Sequence, residues 1–355
     1  MPPHAKSLFV FAFAAMTAPA HAQNLKQVTT IAIPGTPINQ FGSLTIEQAS
    51  GLGYFADKDN KGVVVFDTKT DKYVSRIPGF VGVAKTGNTS GPNGIVVVNG
   101  GAKVWVSDGD SSITIIDTKS GAPNGKISTG GKARANGMAF DPNSKTVIVA
   151  NSNDDPPFVS LISTELGHTI IASIPVPDSA ENLERSAYHA PSGTFYTVIP
   201  VSRTDKTKGL LAQTDPKTGK LVQLHEIERC HPHSLSIVTD HTIFMGCSNG
   251  HGPSPKPGGD MAIFDIATGK VEAHGPGLGG NGGSTANGQY YHATTSATIV
   301  VVDIKSRKLA QTVPTSNEAR SLDVNSATGR VYLATTANNG PCGGCIQVFA
   351  PEQAA

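Results

Sequence analysis

Two histidines stand two residues apart, in the run His231-Pro232-His233. In an extended chain, residues two apart point to the same side, so the two imidazoles could act on one ligand. Imidazole binds divalent metals and acts as a general base near neutral pH. Glu184 or His251 would complete such a set. His233, His231 and Glu184 are therefore the candidate catalytic residues and the candidate ligands of one divalent metal ion, with a structural role as the alternative.

Other polar residues stand where predicted strands begin, directly before apolar segments. Together with the histidines, the candidate ligand-binding residues are Asn93, Arg134, Asn136, Arg185, His231, His233, His251 and Arg320. If these strands begin around one axis, their first side chains converge as the polar groups of a small-molecule site do. The alternative is that they only line a water-filled tunnel.

Four cysteines suggest two disulfides. Cys230 precedes a predicted strand and Cys247 ends the strand that pairs with it, so folding this hairpin brings the two together. Cys342 and Cys345 are separated by two glycines. A redox-active Cys-x-x-Cys pair usually lies at a helix N-terminus, whereas strand and loop surround this one. We therefore predict structural Cys230–Cys247 and Cys342–Cys345 bonds.

A repeated phrase accounts for the elements that must position these residues. Each copy has a short apolar run, then a polar turn rich in Gly and Lys, as in MAIFDIATGK at residues 261–270. The seven turn positions are Asp67, Asp117, Ser163, Asp215, Asp265, Asp303 and Ala350, which are 50, 46, 52, 50, 38 and 47 residues apart by subtraction. A repeat near this period, built of short strands, is typical of propeller blades.

The last copy lacks the outer strand that follows the other turns. Residues 28–33 (VTTIAI) resemble those outer strands and can pair with residues 345–349. Such pairing would close the ring and leave no open junction between its ends. We therefore predict an all-β fold, a seven-bladed β-propeller of four-stranded antiparallel blades, spanning residues 23–355 and closed by its N-terminal strand.

Antiparallel blades place the loops between second and third strands on the same face as the connections between blades. Long connections at residues 151–157, 202–209, 248–259 and 338–344 fall on that face, and short turns fall on the other. Function usually belongs to loops held by a rigid scaffold. We expect the functional site on the long-loop face.

The N-terminus has the pattern of a signal peptide. Lys6 supplies positive charge, residues 8–16 are apolar, and Ala20-His21-Ala22 is a cleavage signal, so residues 1–22 would be removed on export. No later stretch is long and apolar enough to span a bilayer. We expect a periplasmic or secreted monomer.

The overall charge argues against a general affinity for polyanions. Lys and Arg number 28 and Asp and Glu 27, for a net charge of +1. Such a balance does not favour nucleic acid as a partner. A minor alternative is polyanion binding through Arg134, Arg185, Arg203 and Arg320.

Seven copies of a strand followed by D-x-x-T-G-K, behind a signal peptide, resemble the YVTN-type (YncE-like) bacterial propeller family. Members of that family are mostly periplasmic proteins of unsettled role, with nucleic-acid and partner binding proposed for some, so the resemblance implies a periplasmic protein and leaves its role open. Related propellers include lactonases and a lyase that act at the channel mouth, and Asn93, Asn136 and Glu184 are loosely similar to the ligands of the six-bladed gluconolactonases. We therefore expect an exported propeller that binds a small molecule or a protein partner at the long-loop face and channel mouth. The alternative is a lactonase-like hydrolase or lyase, with or without a metal.

Overall fold

The structure is a computed structural model that describes residues 24–180, 182–248, 259–280, 282–295, 297–316, 318–338 and 342–352. The signal peptide predicted for residues 1–22 lies outside the described residues, and so does His251. Two short 3-10 helices, Gly87–Thr89 and Asn99–Gly101, accompany the strands. None of the helices in this part of the chain has the length and apolar character that crossing a membrane requires.

Seven four-stranded antiparallel sheets form the blades of a β-propeller. Blades 1 to 4, each written from its innermost strand outward, are β2 (Phe41–Ile46), β3 (Leu52–Asp57), β4 (Gly62–Asp67) and β5 (Lys72–Pro78); β6 (Ile95–Val98), β7 (Lys103–Ser107), β8 (Ser112–Asp117) and β9 (Ala122–Ser128); β10 (Ala135–Asp141), β11 (Thr146–Asn151), β12 (Phe158–Ser163) and β13 (Ile170–Pro175); and β14 (Ser186–His189), β15 (Thr194–Ile199), β16 (Lys208–Asp215) and β17 (Lys220–Glu228).

The remaining blades follow the same plan. Blades 5 to 7 are β18 (His231–Thr239), β19 (Thr242–Ser248), β20 (Asp260–Asp265) and β21 (Lys270–Pro276); β22 (Ser284–Ala286), β23 (Tyr290–Thr294), β24 (Thr298–Asp303) and β25 (Lys308–Pro314); and β26 (Ser321–Asn325), β27 (Arg330–Thr335), β28 (Cys345–Pro351) and β1 (Leu25–Ala32). The predicted fold class is therefore confirmed.

The N-terminal strand closes the ring, as predicted. β1 pairs antiparallel with β28, from Leu25 opposite Pro351 to Ala32 opposite Cys345. It begins three residues before the predicted start at Val28 because β28 continues past Phe349 to Pro351 and supplies partners for the earlier residues. Blade 7 thus joins the two ends of the chain, and no blade edge is left open at the junction.

Apolar side chains fill the spaces between neighbouring blades. Phe55 of blade 1 packs in one cluster with Tyr332 and Ile346 of blade 7. Each blade is thus stabilised by its neighbours, as in other repeat proteins. The cysteines pair as Cys230–Cys247 and Cys342–Cys345.

Two glycines explain why neighbouring inner strands approach so closely. A Cβ on Gly94 of blade 2 would overlap the carbonyl oxygen of Asn136 in blade 3, and a Cβ on Gly137 would overlap the carbonyl oxygen of Glu184 in blade 4. Only glycine permits this backbone contact. The Asn-Gly pairs therefore fix Asn93 and Asn136 where each inner strand begins beside the axis.

Candidate functional site

A cavity of about 310 Å³ opens where the inner strands begin, on the predicted long-loop face. We call it the mouth cavity. Its lining includes seven of the residues singled out in the sequence, namely Asn93, Arg134, Asn136, Glu184, Arg185, His233 and Arg320. The predicted convergence of inner-strand starts thus occurs for these residues, which come from blades 2, 3, 4, 5 and 7.

Positive charge dominates this lining. Among the described residues that line the cavity, Lys58, Arg134, Arg185 and Arg320 are cations and Glu184 is the one carboxylate, so four cations face one anion there. No salt bridge joins any of the four cations to a carboxylate within the described residues. Such uncompensated charge is unfavourable inside a partly enclosed space.

Lys58 was missed in the sequence. It follows the last residue of β3, so it belongs to the loop between the second and third strands of blade 1, and its backbone N–H donates to Gln40 O at 3.2 Å. The sequence prediction considered only residues at the starts of inner strands, and this loop follows a second strand. The available signal was its topology, because loops after second strands return to the long-loop face.

Burial and, after it, the neighbouring charge of Arg134 lower the pKa of the Lys58 amino group to about 8, while the carboxylate of Glu184 opposes the shift. Arg320 adds to the lowering, and Asp108 counters it weakly. The side chain is only 9% exposed. Lys58 is therefore a buried amine whose own surroundings disfavour its charged form.

The two arginines at the rim keep most of their hydrogen-bonding capacity. Arg134 Nη1 donates to Gly87 O at 3.4 Å, and its buried Nε has no hydrogen-bond partner in the described residues. Arg320 is exposed at the mouth. A guanidinium with free donors matches a carboxylate or phosphate in two parallel hydrogen bonds.

Each of the two asparagines donates one hydrogen bond to backbone of the next blade and one to a second acceptor. Asn93 Nδ2 donates to Ser90 O at 2.8 Å and to Ala135 O at 3.0 Å. Asn136 Nδ2 donates to Leu183 O and to Glu184 Oε2, both at 3.1 Å. These contacts join blades 2, 3 and 4, and the second positions the carboxylate of Glu184.

Arg185 lies deeper, between the mouth cavity and a second cavity of about 170 Å³ farther along the tunnel. We call this second space the inner cavity, and Asp323 lines it. Burial lowers the pKa of the Arg185 guanidinium, and the carboxylates of Glu184 and Asp323 oppose that shift. The arginine thus has one carboxylate on its mouth side and one in the inner cavity.

His231 does not join the mouth cavity, contrary to the prediction. The pairing of β18 with β19 shifts register between Pro232 and Ser234, so a β-bulge falls at His233 and breaks the alternation that the prediction assumed. The His231 imidazole is buried, and its Nε2 lies 3.1 Å from Lys206 O. His233 lines the cavity without it.

Of the metal-ligand candidates that the structure describes, His231, His233 and Glu184 do not come together as a site. Among the described residues there is no group of three or more His, Cys, Asp or Glu side chains placed to hold a metal ion. His231 is turned away from Glu184 and His233 by the bulge. Arg203 also lies apart from the cavity, because its guanidinium donates to the carbonyl oxygens of Pro177 and Ser179.

Comparison with known proteins defines the fold and no narrower class. No protein-family model matches the chain, and no curated protein matches it in sequence. Among the solved structures that match is hydrazine synthase of Kuenenia stuttgartiensis, with a TM-score of 0.71 and 16% identity over 90% of this chain and 98% of that chain. At this identity the likeness shows the seven-bladed propeller alone, and membership of the YVTN-type family stays a prediction.

Proposed function

We propose that the protein is an exported β-propeller that binds a small anionic molecule in the mouth cavity. The observation that carries the proposal is the imbalance of charge in the described lining, where Lys58, Arg134, Arg185 and Arg320 face the carboxylate of Glu184. An anion would offset the repulsion among these cations and use the free guanidinium donors. Export is supported by the signal-like N-terminus and by two disulfides, which persist in oxidising compartments.

The volume of the mouth cavity favours a small ligand over a protein partner. A volume of about 310 Å³ lies at the low end of the range of roughly 300–1,000 Å³ for ligand pockets. The lactonase-like alternative keeps His233 and Glu184 in the cavity lining but loses His231, which lies outside it. Binding is therefore the function that the geometry supports best.

The test measures binding of citrate, phosphate and sulfate by calorimetry and by thermal shift, at fixed ionic strength. Glucose and spermidine serve as uncharged and cationic comparisons. We expect the multivalent anions to bind and to raise the unfolding midpoint. Arg134→Gln and Arg320→Gln should each weaken anion binding by about tenfold or more, since a cation that contacts the ligand is lost.

Lys132→Gln is the matched control. Lys132 is exposed two residues from Arg134 and does not line the mouth cavity, so its variant removes the same charge and should change affinity by less than about twofold. Anion binding no stronger than the effect of matched sodium chloride would refute the proposal. Equal effects of the Arg134 and Lys132 variants would also refute it, because binding would then lie elsewhere.

A further inference from the structure

The amino group of Lys58 has a chemical capacity that anion binding does not require. Lys58 is the one lysine in the described lining of the mouth cavity. Its backbone is fixed by the hydrogen bond to Gln40 O, whereas its amino group has neither a hydrogen-bond acceptor nor an ion-pair partner within the described residues. An arginine would serve as well if only charge mattered. A lysine adds a primary amine, which can become a nucleophile.

We propose that Lys58 forms a Schiff base with the carbonyl group of a small anionic aldehyde or 2-oxo acid whose carboxylate or phosphate is held by Arg134 and Arg320. The inference rests on the proposed function, since the same arginines bind the anionic group. It adds the class of ligand, which is an anion with an aldehyde or ketone close to its charge.

The surroundings of Lys58 suit this reaction in two ways. Only the neutral amine attacks a carbonyl, and burial with the nearby Arg134 and Arg320 lowers the pKa of Lys58 to about 8. A substantial fraction of the amine is then neutral in mildly alkaline solution, whereas an ordinary surface lysine remains charged. The same arginines attract the anionic end of the ligand and so bring its carbonyl group to the amine.

The reaction is a condensation and involves no oxidation or reduction. The lone pair of the Lys58 nitrogen attacks the carbonyl carbon, and the electron pair of the C=O bond moves to oxygen. A proton passes from nitrogen to that oxygen to give a carbinolamine. The C–O bond then breaks, a C=N bond forms, and the oxygen leaves as water with the second proton of the amine. Glu184 and His233 line the same cavity and can carry these protons.

The test traps the imine chemically. The protein is incubated with glyoxylate and sodium cyanoborohydride at about pH 8, where half of an amine of that pKa is neutral, and the adducts are mapped by peptide mass spectrometry. We expect modification at Lys58 to be about tenfold faster or more than at other lysines. Citrate should suppress it by competition, and acetaldehyde, which lacks the anionic group, should give little adduct.

Variants separate this inference from the proposed function. Lys58→Arg keeps the positive charge of the site but should form no adduct at this position, and Lys58→Gln provides a second, smaller replacement should the guanidinium not fit. Lys61→Arg, in the same loop, should leave trapping unchanged. Adducts spread evenly over surface lysines, with sulfate binding intact, would overturn the Schiff base alone. Absence of anion binding in the wild-type protein would overturn both.

Discussion

The side chain of Arg185, from blade 4, reaches blade 1 inside the ring, where its Nη1 donates a hydrogen bond to Ser43 Oγ at 3.3 Å. Both residues line the mouth cavity and also the inner cavity. They therefore form part of the partition between the two spaces. A ligand that enters the mouth meets this guanidinium at the bottom of its site.

Arg185→Met should weaken anion binding by about tenfold or more, because the deepest cation of the cavity is lost. Ser43→Ala should have a smaller effect, since it removes one neutral hydrogen-bond partner worth about 1 kcal/mol. Calorimetric titration with sulfate measures both changes. Unchanged affinity in Arg185→Met would mean that the ligand stays near the rim and does not reach the partition.

The same variant should alter the dependence of stability on pH. Burial raises the pKa of Asp323 above its ordinary value of 3.8, while the N–H of Ile46, the hydroxyl of Thr285, the N–H of Val324 and the charge of Arg185 oppose the shift. For a carboxyl with a raised pKa, the folded state binds more protons than the unfolded state above pH 3.8, so stability falls as pH rises through that window. Arg185→Met should extend the fall to higher pH.

Urea unfolding measured from acid to neutral pH tests this expectation. The control is Arg185→Met combined with Asp323→Asn, in which the added pH dependence should disappear. Parallel stability curves for the wild-type protein and Arg185→Met would show that Arg185 does not assist the ionisation of Asp323.

Lys58→Met should stabilise the protein in the absence of anions. The pKa of Lys58 falls from 10.5 to about 8 on folding, and at 1.36 kcal/mol per unit this corresponds to a penalty of up to about 3 kcal/mol when the amine is charged. Met keeps the apolar stem and removes the charge. The free energy of unfolding, measured in urea near neutral pH without multivalent anions, should therefore increase by roughly 1–3 kcal/mol.

The sign of the pH effect gives a second check. Because the folded pKa of Lys58 lies below the unfolded one, the unfolded state binds more protons between about pH 8 and 10.5, and wild-type stability rises with pH in that window. The groups that influence Lys58 are Arg134, Arg320, Glu184 and Asp108. The advantage of Lys58→Met should therefore shrink as pH rises. A constant advantage, or a loss of stability at neutral pH, would contradict the prediction.

Much of the architecture could be predicted because each copy of the repeat forms one blade with the same strand order. The turn positions fix the number of blades, and antiparallel pairing then fixes which end of each inner strand lies at the mouth. Asn136 and Arg320 could be placed in one cavity by this reasoning although 184 residues separate them by subtraction. The incomplete last repeat likewise predicted the pairing of β1 with β28.

Local irregularity limited the rest of the prediction. The bulge at His233 depends on how β18 meets β19, and regular alternation could not indicate that His231 lies outside the cavity. Lys58 comes from the short loop between β3 and β4, and only the packing of the blades around the mouth cavity brings its side chain into the lining. Sequence reasoning thus placed residues on regular strand ends better than residues in bulges or loops.

The Cys230–Cys247 bond should contribute more stability than the Cys342–Cys345 bond. The first joins residues 17 apart and the second joins residues 3 apart. In the chain-entropy model, loops of these sizes correspond to about 3 and about 2 kcal/mol. Replacing each pair with alanine and measuring urea unfolding should reproduce this order. Equal losses, or a larger loss from the shorter loop, would show that packing rather than chain entropy governs the effect.

His233→Ala should weaken anion binding with little loss of stability. His233 lines the mouth cavity, as Arg134 and Arg320 do, and is only partly buried, so its removal leaves few packing contacts unfilled. The matched control is His241→Ala, because His241 is exposed in the short turn at the other end of the same hairpin. Sulfate titration and thermal unfolding of both variants provide the measurements. If His233→Ala retains full affinity, or if it unfolds the protein, His233 supports the fold and does not contact the ligand.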